Sequence, residues 1–261
     1  RNMLIKGPEE AMRSEEVKEV LDLCLSCKGC KSECPANVDM ARMKAEFLQQ
    51  YQDHHGTPFA ARLFGEYARL SKLASIAPWF ANFTLTFGPF RWVLGRVLGL
   101  ADERSLPAYK TRFRKQASRL LPTNGDGRKI WLYVDPFTEF TEPELGLAAM
   151  RILEATGHRV ELFPIDDDGR THISKGLLRE AKHVMNRNCQ SIAKLLRDHP
   201  DKKVIGIEPS ALLTFRDEMP DLVDAEHRDT AKSLASRSML LDEYLAEELK
   251  AGRVDASVFS G

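Results

Sequence analysis

The chain has 261 residues, enough at about 150 per domain for one large domain or two modest ones, each with a buried core. Its 38 Lys and Arg balance 38 Asp and Glu, so no net basic field marks a nucleic-acid binder. With 43% hydrophobic and 29% charged residues it is neither a disordered chain nor an integral membrane bundle, and two soluble domains are expected.

Residues 1–10 carry no apolar signal-peptide core and do not open with Met, so the chain reads as part of something longer or as a processed subunit. Val17, Val20, Leu21 and Leu23 recur at helical spacing over 8–25, and a second helix is expected from Val38 to about Tyr51. Further helices fill 59–121, broken at Pro78, at Gly88-Pro89 and at Pro107. The first expected domain, 1–121, is therefore all-helical. A Pro/Asn/Gly linker from Leu121 to Gly127 marks a boundary, after which short apolar runs at 130–134, 159–163 and 203–207 alternate with amphipathic stretches at 142–155 and 175–197. That order predicts a second domain, 128–261, of α/β type with a small parallel sheet, closed by helices near 211–219 and 228–250. The class of the whole chain is α+β.

Cys24, Cys27, Cys30 and Cys34 fall within eleven residues, and Cys189 stands far from them. Cysteines so close cannot staple distant elements, and an odd one remains, which points to a reducing, cytoplasmic setting and to thiolates that hold metal. The run Cys24-x2-Cys27-x2-Cys30-x3-Cys34-Pro35 has the spacing of bacterial ferredoxins for a 4Fe-4S cluster. Zinc is the rival, although four-cysteine zinc sites usually draw two separated pairs. In ferredoxins of this spacing the fourth cysteine serves the other cluster, so Cys34 either reaches toward a second centre or completes a lone one by local rearrangement. Cys189 lies on the apolar face of its helix with Leu178, Ala181, Ile192 and Leu196 and reads as core.

Three other stretches carry weaker signals. Trp79–Leu100 is the most apolar part of the chain but is interrupted by Asn82, Pro89, Arg91 and Arg96, so it is no transmembrane span. Ordinary helical core is the expectation there, ahead of an interface with another domain or a membrane surface. Lys110–Arg119, with five bases and no acid, is expected to be a solvated basic helix, and Asp166-Asp167-Asp168 a solvated turn rather than a hard-cation site. His54-His55 is expected to be turn polarity. No nucleophile elbow, phosphate-cradling loop or dinucleotide fingerprint is present, because Gly125-Asp126-Gly127 precedes the first strand instead of following it.

The stretches Leu21–Ala41, Val134–Gly146, Gly169–Leu178 and Gly206–Glu218 together resemble the C-terminal iron-sulfur region of FAD-linked oxidases and D-2-hydroxy acid dehydrogenases, related to the iron-sulfur subunits of glycolate oxidase. The resemblance implies the electron-transfer portion of an FAD-dependent oxidoreductase. It implies Cys24, Cys27, Cys30 and Cys34 as cluster ligands and FAD on an upstream domain. Electrons would pass from a D-lactate, D-2-hydroxyglutarate or glycolate type of substrate to a quinone or redox protein. The partners implied are the FAD-binding domain, that acceptor and a peripheral membrane contact at the inner face, with no complete catalytic site in the chain. The departures are Asp167-Asp168-Gly169 where the family has Cys-Cys-Gly, and Ala211 where it has a cysteine after Glu-Pro-Ser. The second domain is thus expected to be a cysteine-stripped version of the family's second site. The alternative function is a non-redox docking or scaffold module with a structural zinc or an empty cysteine loop.

Overall fold

A computed structural model describes residues 7–99, 106–119 and 127–259, so the expected linker, but for Gly127, lies outside the described residues. The architecture is α+β, many helices with one small parallel sheet. The chain divides into two compact units, Arg1–Tyr67 with Gly169–Ala181, and Ala68–Asp168 with Lys182–Gly261.

In the first unit, helix Met40–His55 buries Phe47 and Leu48 against Leu21 of helix Glu15–Asp22. The expected single helix over 8–25 is two, Pro8–Ala11 and Glu15–Asp22, with Ser14 in extended backbone between them. His54 and His55 close the last turn of the longer helix. The turn Lys175-Gly176-Leu177 is tied onto that helix by its polar side chains. Gln52 Nε2 donates to the Lys175 carbonyl at 2.7 Å, and the Leu178 N–H donates to Gln49 Oε1 at 2.8 Å. Arg179 makes a two-pronged pair with Asp53, both contacts at 2.6 Å, and its guanidinium holds the Asp53 carboxyl below the usual range.

In the second unit the strands are β1 (Arg128–Tyr133), β2 (His158–Leu162), β3 (Val204–Gly206) and β4 (Ser238–Leu240), ordered β2-β1-β3-β4 and all parallel. Leu132 registers with Leu162 on one side and Ile205 on the other, which is why the central strand reads as one apolar run: helices cover both faces. Ile130, Leu132, Val134, Met150, Leu153, Val160 and Ile205 form the core. The expectation of one helix over 228–250 is corrected, because helices Arg228–Ala235 and Leu241–Lys250 flank β4. Ser238-Met239-Leu240 fits a helical pattern by itself; pairing with Val204–Gly206, which would otherwise be an open sheet edge, makes it a strand.

Two further expectations are overturned here. Lys110–Arg119 is not a solvated face: Phe113 and Ala117 are fully buried, Arg112 Nε donates to the buried Glu139 at 2.8 Å, and Lys110 pairs with Glu144. Arg114 donates to the carbonyls of Phe163 and Ile165, each at 3.1 Å. Three of the five bases, Lys110, Arg112 and Arg114, have counter-groups inside their own unit, so that side of the segment docks, while Lys115 and Arg119 stay exposed. The stretch expected to be core at Trp79–Leu100 is, over its described residues 79–99, not core either. Helices Pro78–Thr86 and Gly88–Leu98 contain no buried residue, and Trp79 is 76% exposed.

Candidate functional site

The cysteine loop runs from the end of helix Glu15–Asp22 to the start of helix Met40–His55, with the short helix Gly29–Glu33 inside it. Ser26 (φ +55°), Lys28 (φ +59°) and Asn37 (φ +54°) are the non-glycine residues with left-handed backbone among those described, and all three lie in this loop. Each such residue costs about 1 kcal/mol or more, and what the left-handed turns provide is amide direction. The Ser26 N–H points at Cys24 Sγ at 3.4 Å, and the Met40 N–H points at Cys30 Sγ, also at 3.4 Å. Met40 opens the sixteen-residue helix that Asp39 caps by accepting from the Arg42 N–H at 3.0 Å, so one otherwise orphan amide of the helix N-terminus is spent on sulfur. At Cys34 the backbone N–H of Val38, followed by those of Ala36 and Asn37, holds the thiol below its usual range.

The four sulfurs are also reachable. Cys27 is exposed, Cys24, Cys30 and Cys34 are half-buried, and Leu23 and Leu25 beside them stand in solvent. Lys44 steadies the loop by donating to the Cys24 carbonyl at 2.8 Å. Among the described residues no three His, Cys, Asp or Glu side chains come together as ligands of one ion. A cubane asks for a different arrangement, four thiolates each on its own iron. Soft thiols met by backbone amides are donors of the type that group takes.

The positions of the expected stripped site lie in the second unit, at the carboxyl ends of β1 and β3, where the strand order reverses and where ligands of open parallel sheets bind. Here that end is filled. The Tyr133 hydroxyl donates to Asp168 Oδ2 at 2.7 Å, Tyr133 packs edge-on against Phe215 at 4.8 Å between ring centres, and Asp168 and Ala211 are both buried. Burial, with the Asp168 charge beside it, keeps the Tyr133 phenol well above its ordinary range, so it stays protonated and donates. Asp135 and Glu208 serve as helix caps: Asp135 Oδ1 accepts from the Phe137 N–H at 2.8 Å, and Glu208 accepts from the Ser210 N–H at 3.1 Å. Asp166 is solvent-facing as expected, bonded to Lys72 at 3.3 Å, but Asp168 of the same run is a core residue. Tyr133 escaped sequence reasoning because an apolar strand gives no sign of which hydroxyl meets an aspartate 35 residues on.

Cys189 is fully buried in helix Leu178–Asp198, and burial pushes its thiol up to about 11. Cys189→Ala should therefore cost about 1–2 kcal/mol in a urea melt and leave the iron content of the protein unchanged. A loss of iron would make Cys189 a ligand.

Across 269 residues the chain is 25% identical to a D-2-hydroxyglutarate dehydrogenase of Pantoea ananatis, an alignment that covers 98% of the chain and 25% of the relative. The namesake of Escherichia coli is 25% identical over 247 residues, covering 91% and 24%, and that of Pseudomonas putida 26% over 228 residues, covering 84% and 22%. The chain is thus similar, at low identity, to proteins named D-2-hydroxyglutarate dehydrogenase. It spans about a quarter of the length of these curated relatives, which are oxidoreductases by name. No protein-family model matches it, and no solved structure does. Among the described residues no helix is long and apolar enough to cross a membrane.

Proposed function

We propose that this chain is the iron-sulfur, electron-transfer portion of an FAD-linked dehydrogenase that oxidises a D-2-hydroxy acid, with D-2-hydroxyglutarate as the first substrate to test. The observation that carries the reading is the cysteine loop itself: ferredoxin spacing, with left-handed backbone that turns amides toward the sulfurs of Cys24, Cys30 and Cys34. The distant relatives support the substrate class by their name.

Cys24, Cys27 and Cys30 would hold one 4Fe-4S cluster with a thiolate from outside this loop, and Cys34 would reach toward another. When bound, such a cluster takes up and passes on one electron at a time. The residues around it set how readily. The Ser26 and Met40 amides and the positive end of helix Met40–His55 stabilise charge on the thiolates. Exposure of Cys27 leaves one side of the loop open to a redox partner. The first unit has a small core, built around Leu21, Phe47 and Leu48, and a metal group held by the loop would add a staple that such a core lacks. FAD would lie on a segment outside these residues, the acceptor would be a quinone or redox protein, and the location would be the cytoplasm, at the inner face of the membrane.

Anaerobic mixing of the full-length protein with D-2-hydroxyglutarate, D-lactate or glycolate tests the reading. The expected result is rapid loss of flavin absorbance with one of the three, followed by reduction of iron-sulfur absorbance. A protein that carries zinc and no iron, or that none of the three reduces, would be the docking module instead.

A further inference from the structure

We propose that helices Pro78–Thr86 and Gly88–Leu98 form a hairpin that seats in the surface of an anionic lipid bilayer. Its outward face is apolar and aromatic: Ile76 is 79% exposed, Trp79 76%, Trp92 59% and Phe83 52%. A contiguous exposed patch of this kind on a folded unit marks a binding surface. The rings are also ordered among themselves, with Phe83 stacked on Phe87 at 5.2 Å and Trp79 edge-on to Phe80 at 5.7 Å.

The body of the unit keeps this face outward. Both polar atoms of the Asn82 side chain are held by one residue: Asn82 Nδ2 donates to the Tyr109 carbonyl at 2.8 Å, and the Tyr109 N–H donates to Asn82 Oδ1 at 2.7 Å. Rolling the aromatic side inward would break both bonds. The hairpin therefore presents its rings by construction, not for want of a core to join.

Charge selects the occupant. Between 73 and 101 the only charged residues are Arg91 and Arg96, with no Asp or Glu. Arg96 lies over the Trp92 ring at 5.3 Å, a pairing that suits a headgroup layer, where the ring sits at the apolar boundary and the guanidinium reaches phosphate. A helix of nine residues and one of eleven extend about 14 and 17 Å, far short of a bilayer core of about 30 Å, so the hairpin lies in the interface and does not span it. Within the two helices the charges are those of Arg91 and Arg96, and their sign matches the phosphates of anionic lipid.

The 261-residue chain holds three tryptophans, and Trp131 is buried, so Trp79 and Trp92 report on the hairpin alone. Co-sedimentation with vesicles of phosphatidylcholine, with and without phosphatidylglycerol, is the test. The chain should partition onto the anionic vesicles about tenfold or more better than onto neutral ones, lose that preference in high salt, and shift its tryptophan emission to the blue on binding. The double variant Trp79→Glu/Phe83→Glu, at exposed positions, should keep the thermal midpoint and lose about tenfold or more of the binding. Absence of binding to either vesicle overturns the proposal. So does equal binding by the variant, or vesicle-independent self-association that the same variant abolishes, which would give the face to a second copy of the chain.

Discussion

In the full-length protein, Cys24→Ser, Cys27→Ser or Cys30→Ser should each remove about four irons and four acid-labile sulfides, one cluster's worth, together with the matching visible absorbance. Serine keeps the shape and loses the soft donor, so iron is lost for a chemical reason and not through collapse of the loop. Cys34→Ser should deplete a cluster too, with a spectrum that differs from that of the other three variants, since Cys34 serves a different centre in the proposed arrangement. All four should also lower the unfolding midpoint of the first unit, where the buried core rests on few residues. Iron and sulfide measured alongside zinc, with electron paramagnetic resonance of the reduced samples, provide the check. Unchanged iron in the Cys27→Ser protein would end the assignment.

Gly176→Ala should be the most damaging glycine substitution in the first unit, with a loss of about 3 kcal/mol in a urea melt. Two costs combine. Gly176 has φ +70°, where an alanine is strained by about 1 kcal/mol, and an added Cβ would lie 2.2 Å from Leu48 Cβ and 3.0 Å from the Leu48 carbonyl carbon. Backbone that close cannot yield as a side-chain tip can, so the turn Lys175-Gly176-Leu177 must lift off helix Met40–His55 and strain the hydrogen bonds from Gln52 and to Gln49. Gly252→Ala is the control: its φ is +66° with nothing within 4 Å, so only the backbone strain of about 1 kcal/mol should appear. Equal losses at the two sites would show that the turn is not pressed on the helix.

Local signals in the chain were enough for its class and for three of the four strands among the described residues. Ile130-Trp131-Leu132-Tyr133-Val134 is an apolar run of strand length, and the spacing of Cys24, Cys27, Cys30 and Cys34 is what carries the iron-sulfur reading proposed above. What needed the tertiary structure depends on partners remote in sequence. Ser238–Leu240 is a strand because Val204–Gly206 offers an edge, and Asp168 is buried where the Tyr133 hydroxyl meets it. Arg112 docks only because Glu139 is folded beneath it. The same reason explains the largest reversal. The composition of Trp79–Leu100 is that of a core, but burial is decided by what packs against a segment, and Asn82 pinned on Tyr109 leaves those rings facing out.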